Sequence, residues 1–115
     1  MAPADDGILA VDCGSSSLKA GVYTRSFEAL GSVSTPVHYR ENDAGWVEFD
    51  GELIWDAFAE MIGTLIRQSA VPPESLKHLS LGSQAQTFAV VDGAGALRTP
   101  FYSWLDRRAE AEADM

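Results

Sequence analysis

Cysteine is nearly absent: Cys13 stands alone in 115 residues, and no C-x-x-C occurs. An internal disulfide and a cysteine-rich zinc site are therefore excluded. Basic residues are scarce too, with eight Lys and Arg against seventeen Asp and Glu, for a formal charge of −9. A field of that sign repels phosphate backbones and anionic lipid, which argues against nucleic acid and membrane surfaces as partners. No apolar run approaches the roughly 20 residues that span a bilayer. The opening Met1-Ala2-Pro3-Ala4-Asp5-Asp6 has neither a basic n-region nor an apolar h-region, so no secretory signal is expected and the cytoplasm is the expected compartment. Internal repeats and low-complexity linkers are missing as well. His38 and His78 have no metal-ligand spacing to each other or to Cys13 and receive no role. What remains is ordinary for a folded chain: 46% hydrophobic and 22% charged, a balance that argues against disorder. The length fits one domain, burying about two-thirds of its unfolded surface.

Ile8 to Asp12 is a short apolar run ending in an acid, followed by Gly14-Ser15-Ser16-Ser17. In Leu18 to Thr24, Leu18, Ala20 and Val22 alternate with Lys19, Gly21 and Tyr23. Two such runs around a Gly/Ser cluster predict a hairpin, and Ala29 to Val37 a third strand that Pro36 closes or confines to an edge. Residues 38–50 read as an irregular polar loop. The period then changes: Leu53, Ile54, Ala57, Phe58, Met61, Ile62, Leu65 and Ile66 predict an amphipathic helix over about 51–69. Asp50 is its expected cap, and Pro72-Pro73 its stop. Strands are expected at Leu76–Ser83 and Thr87–Val91, with a turn at Asp92-Gly93-Ala94-Gly95. Residues 109–114 have helical propensity but almost no apolar face. The fold class is α/β with an antiparallel three-strand start. One helix cannot cover both faces of such a sheet, so Phe88, Val90, Phe101 and Trp104 are expected as exposed apolar surface.

Three segments could carry chemistry. In Asp12-Cys13-Gly14-Ser15-Ser16-Ser17, with Lys19 following, glycine would let backbone amides approach an anion and the hydroxyls would add donors. Asp12 could hold Mg²⁺ through water, and Lys19 could add a point charge toward phosphates. An ordinary Gly/Ser turn would look the same by composition. Cys13 reads as a small packing residue rather than a nucleophile. In Ser103-Trp104-Leu105-Asp106-Arg107-Arg108, the indole could stack on a sugar while polar groups meet its hydroxyls. Gln84-Ala85-Gln86-Thr87 is a polar break whose amides could read hydroxyls or close a turn.

Taken in this order, the segments resemble the N-terminal part of the FGGY carbohydrate kinases. The match runs from Ile8 to the last residue: D-x-G-[ST]-[ST]-[ST]-x-[RK] as Asp12 through Lys19, a Gly-Trp loop as Gly45 through Asp50, and a helix with an early Trp as Trp55. The Gln segment is present as Gln84 through Thr87, and W-x-D-x-R as Trp104, Asp106 and Arg108. The resemblance implies a ribonuclease H-like domain of the actin and sugar-kinase ATPase type. By the same resemblance residues 1–115 are expected to be a partial, N-terminal sugar-kinase domain, with the C-terminal domain absent. It implies transfer of the ATP γ-phosphoryl group to a hydroxyl of a sugar or polyol substrate, with ATP and Mg²⁺ as cofactors. Asp12 would then bind the metal through water; Gly14, Ser15, Ser16 and Lys19 would face the phosphates; Gln84, Gln86, Trp104 and Asp106 would lie along the sugar pocket.

Some positions depart from the family pattern. Ala85-Gln86 stands where glycerol kinases carry Arg-Glu and xylulokinases Met-His, which argues against glycerol and leaves xylulose in doubt. The family's general-base Asp lies beyond residue 115, so the isolated chain is expected to be inactive. It is also expected to form a homo-oligomer or to pair with the missing remainder of the kinase. Two other readings stay open: a non-catalytic remnant that binds phosphate, sugar or a partner protein, and a fragment of an actin-like ATPase. The Trp104–Arg108 segment favours a sugar kinase over the latter.

Overall fold

The computed structural model describes residues 6–115; residues 1–5, part of the segment read above for a secretory signal, lie outside the described residues. In chain order the elements are β1 (Gly7–Cys13), β2 (Ser17–Tyr23), β3 (Ala29–Pro36), β4 (Arg40–Glu41), β5 (Val47–Phe49) and α1 (Gly51–Ser69). A 3-10 turn at Pro73–Ser75, β6 (Leu76–Ser83), β7 (Phe101–Tyr102) and α2 (Glu110–Ala113) follow. The chain divides into two compact units, one made of residues up to 37 with 56–83, the other of 38–55 with 84–115.

The first unit is a mixed four-stranded sheet in the order β3-β2-β1-β6. β1, β2 and β3 form the expected antiparallel meander, and β6 joins β1 in parallel. The alternation in β2 has its physical counterpart: Leu18, Ala20 and Val22 are buried while Lys19 is exposed. Register places Leu9, Val22 and Gly31 side by side on that apolar face. α1 packs there. A Cβ on Gly31 would stand 3.1 Å from Ser69 Cβ and 3.5 Å from Leu65 Cδ1, so β3 approaches the helix closely. Leu65 is 0% exposed, a burial that stabilises by roughly 1.5–3 kcal/mol. At the sheet edge β6 leaves Leu79 and Leu81 67% and 66% exposed. The opposite face is small and polar, with Ala10, Asp12, Lys19, Gly21, Ser32 and Ser34 lining an open groove of about 520 Å³.

α1 begins where the cap predicts: Asp50 Oδ1 accepts hydrogen bonds from the N–H groups of Glu52 and Leu53, at 2.8 and 3.3 Å. It ends as Ala70 turns left-handed, with φ 53°, ahead of Pro72-Pro73. Among the described residues no helix is long and apolar enough to cross a membrane.

The second unit contains the three-stranded sheet β4-β5-β7. Phe49 is its buried centre, stacked on Phe101 at 5.1 Å between ring centroids and meeting Tyr39 edge-on at 5.6 Å. Three expectations are corrected here. Residues 38–50 are not a featureless loop but hold β4 and β5, the latter pinned by β7 from far along the chain. Thr87–Val91 is not a regular strand; it makes only the isolated bridges Phe88–Tyr102 and Val91–Leu97. The ladder breaks because the Val90 N–H donates to the Thr99 hydroxyl, at 2.9 Å, rather than to a carbonyl. Phe101 is half-buried against Phe49 rather than exposed, whereas Phe88, Val90 and Trp104 are exposed as expected.

Candidate functional site

The turn between β1 and β2 is closed by the Gly14 N–H, which donates to the Ser17 carbonyl at 3.1 Å. A Cβ on Gly14 would lie 2.9 Å from that same oxygen, so the turn closes only around glycine. The Ser16 carbonyl accepts the Val37 N–H at 3.0 Å, tying the turn to the end of β3. The expected hairpin is therefore present, with Asp12 opposite Lys19 and Cys13 opposite Leu18, and no helix follows the serines.

Asp12 is exposed, near the C-terminal ends of the parallel strands β1 and β6, where ligands of α/β sheets gather. Among the described residues its carboxylate accepts no hydrogen bond and makes no ion pair. Each of its oxygens faces a glycine: Oδ1 lies 3.7 Å from where a Cβ on Gly82 would stand, and Oδ2 3.8 Å from one on Gly14. Lys19, exposed and in register across the ladder, lies on the same sheet face. An open carboxylate with room beside both oxygens suits a hydrated Mg²⁺, which sheds water reluctantly and takes few protein ligands. No three His, Cys, Asp or Glu side chains gather into a metal site among the described residues, so a cation at Asp12 would rest mainly on water and phosphate. Burial, with the Asp12 charge adding to it, pushes the Cys13 thiol up, which keeps it protonated and unreactive. His78 lies within β6 with its Nε2 3.8 Å from Asp6 Oδ2, and His38 follows β3.

In the second unit the structure brings Gln84 and Trp104 together through Thr87. The Thr87 hydroxyl donates to Gln84 Oε1 at 2.6 Å and accepts the Trp104 N–H at 3.2 Å. Phe88 and Tyr102 exchange backbone hydrogen bonds at 3.2 and 2.8 Å, which fixes that pairing. Gln86 is exposed with φ 65°, a left-handed conformation uncommon for glutamine, at the bend of this segment. Trp104 leaves half its surface, 50%, in solvent.

Asp106 is engaged differently. Its side chain is only 8% exposed. Oδ2 accepts the Val47 N–H at 2.7 Å, Oδ1 accepts the Arg108 N–H at 3.0 Å, and both oxygens meet the Arg108 guanidinium at 2.7–3.0 Å. The same guanidinium reaches Glu48 Oε2 at 2.7 Å and stands 4.2 Å and 4.6 Å from the ring centroids of Trp46 and Tyr102. The hydrogen bonds from Arg108 hold the Asp106 carboxyl far below the ordinary carboxylate range, and the two acids raise Arg108 further. Thr87, Glu48, Trp46 and Tyr102 are the partners that sequence reasoning did not assign. Trp46, Glu48 and Arg108 all stand in the quoted motifs, but Glu48 and Arg108 are separated by 60 positions, and no local period joins them.

Residues 7–115 match the N-terminal domain of the FGGY family of carbohydrate kinases. The chain belongs to that family. Glycerol kinase 5 of Danio rerio is 32% identical over 103 residues, covering 89% of this chain and 20% of that protein. The FGGY chain thus spans about a fifth of the length of the curated relatives it matches. Among solved structures, gluconate kinase from Lactobacillus acidophilus superposes with a TM-score of 0.86 at 24% identity, covering 96% of this chain and 22% of that one. Xylulose kinase from the same organism gives 0.84 at 25% identity, covering 95% and 22%. The FGGY chain accordingly has the ribonuclease H-like fold of the actin-like ATPases and sugar kinases.

Proposed function

We propose that residues 1–115 form the N-terminal, phosphate-facing part of an ATP-dependent cytoplasmic kinase that phosphorylates a hydroxyl of a sugar or polyol. The observation that carries this reading is the hairpin itself: a turn that only Gly14 closes, ending beside an open Asp12, unpaired among the described residues, at the carboxyl end of parallel strands. In this reading Asp12 holds Mg²⁺ through water, and the Gly14, Ser15 and Ser16 backbone and hydroxyls receive phosphate oxygens. Lys19 adds positive charge on the same face. Bound Mg²⁺ neutralises charge on the phosphates of ATP during transfer. Gln84, Gln86 and Trp104 serve the sugar side, and Asp106 serves it by holding the Trp104 segment through Val47 and Arg108. Ala85-Gln86 favours a substrate other than glycerol.

The general base that would orient the accepting hydroxyl belongs to family positions beyond residue 115, so the chain alone is not expected to turn over. The exposed Leu79 and Leu81 of the β6 edge support association, as a homo-oligomer or with the remainder of a longer kinase. Titrating the ¹⁵N-labelled chain with Mg·ATP tests the phosphate reading. Shifts are expected at the Gly14, Ser15 and Ser16 amides and are expected to shrink in Asp12→Asn. Shifts confined to other segments, or phosphorylation of ketoses and polyols by the chain alone, would overturn it.

A further inference from the structure

Gly82 has no structural reason to be glycine. Its backbone is not among the left-handed glycines, which are Gly45 and Gly95. A Cβ placed on it would meet only Asp12 Oδ1 at 3.7 Å and the Val11 carbonyl at 3.9 Å, both ordinary contacts. It lies inside β6, where glycine weakens a strand by roughly 0.5–1 kcal/mol relative to alanine, and its position is exposed. Gly14 differs: the turn closes only without a Cβ there. The parallel register sets Gly82 directly beside Asp12. What a small residue at this position accomplishes is to leave open the Oδ1 side of a carboxylate that has no hydrogen-bond or ion-pair partner among the described residues.

We propose that Gly82 is a positioning residue for the cation held by Asp12, keeping clear the space that the hydration shell of a divalent ion needs on the Oδ1 side. The inference rests on the phosphate-and-metal reading of the hairpin given above. A methyl group at the 3.7 Å contact still leaves that space, whereas a branched side chain extends over the oxygen and displaces the shell's water.

Mn²⁺ titration of the ¹⁵N-labelled chain reads this directly, through paramagnetic broadening of individual amides and without any need for turnover. In the unmodified chain, broadening is expected at Asp12, Cys13, Gly14 and Gly82, and is expected to be lost in Asp12→Asn. Gly82→Ile is expected to weaken the apparent Mn²⁺ affinity at these amides by about tenfold or more, the usual scale for a residue that shapes a metal's surroundings. Gly82→Ala should stay within about twofold, since its Cβ makes only an ordinary contact. Gly82→Val, smaller and equally compatible with a strand, repeats the test if the isoleucine chain loses its dispersed spectrum. Equal broadening in the glycine, valine and isoleucine chains would overturn the role of Gly82 alone. Absence of broadening around Asp12 in the unmodified chain would overturn the metal reading on which it rests.

Discussion

Asp12 and Lys19 face each other across a ladder whose pairing runs from Ile8–Tyr23 to Cys13–Leu18. Trp104 stands in a segment with no ladder of its own. Two backbone hydrogen bonds tie it to the β4–β5 stretch, Ser103 N–H to Val47 at 2.9 Å and Arg107 N–H to Gly45 at 2.8 Å, and a third, Asp106 N–H to Ser103 at 2.9 Å, closes its own turn. Its further ties are side chains: the Thr87 hydroxyl on the Trp104 N–H, and the Asp106, Arg108 and Glu48 cluster, with Arg108 lying against Trp46 and Tyr102. The contrast has consequences. A backbone ladder is indifferent to the charge state of its side chains, whereas a carboxylate–guanidinium cluster fails when its acid is protonated or its arginine removed. The β1–β2 hairpin is therefore a pH-tolerant element, and the Trp104 segment is one whose geometry depends on ionisation.

The largest effect should come from the core beneath the ladder. Leu65→Ala is expected to destabilise by about 2–5 kcal/mol, read as a lowered urea midpoint, because Leu65 is fully buried between α1 and β3. Next comes the turn: Gly14→Ala is expected to cost roughly 1–3 kcal/mol, since its Cβ would press on the Ser17 carbonyl at 2.9 Å. A neutral result at Gly14 would remove the distinction between a backbone-held and a side-chain-held site.

The third prediction concerns acid. Asp106 has its folded pKa depressed, first by hydrogen bonding from Arg108 and then, against an opposing burial effect, by the Val47 N–H. A depressed acid contributes stability that is present above its unfolded pKa of about 4 and is lost as pH falls through the folded value. Urea midpoints measured from about pH 6 down to about pH 3 should fall less steeply in Asp106→Asn than in the unmodified chain. Identical slopes would mean the cluster does not hold the segment. The smallest effect is expected at Trp104→Ala, which should change stability by less than about 0.5 kcal/mol because half of the indole already lies in water. A larger loss would make Trp104 part of the clamp rather than a surface presented to a ligand.

The same contrast governs what was legible in the sequence. Alternation at Leu18, Ala20 and Val22 and the three–four spacing from Leu53 to Ile66 are local signals, and β2 and α1 follow them closely. Asp50 gave away the helix start because capping acts over two or three residues. The parallel pairing of β1 with β6 had no local signal, since its strands are far apart in the chain. β4 and β5 were read as loop because β5 takes its order from β7, across about fifty residues of sequence. At the candidate site, Gly14 and the serines were readable from composition. The engagement of Asp106 was not, because its partner Val47 lies 59 positions away and its neighbour Arg108 also donates to Glu48, 60 positions from Arg108.

Residue-resolved amide hydrogen exchange of Arg108→Ala against the unmodified chain tests the contrast most directly. Removing the guanidinium takes away the partner of Asp106 and Glu48 and leaves the β1–β2 ladder untouched. Protection at the Val47, Ser103 and Arg107 amides should fall by about tenfold or more, while that at Leu18, Ala20 and Val22 should stay within about twofold. Unchanged protection at Val47 and Ser103, or an equal loss along β2, would contradict the division between a segment held by its backbone and one held by its charges.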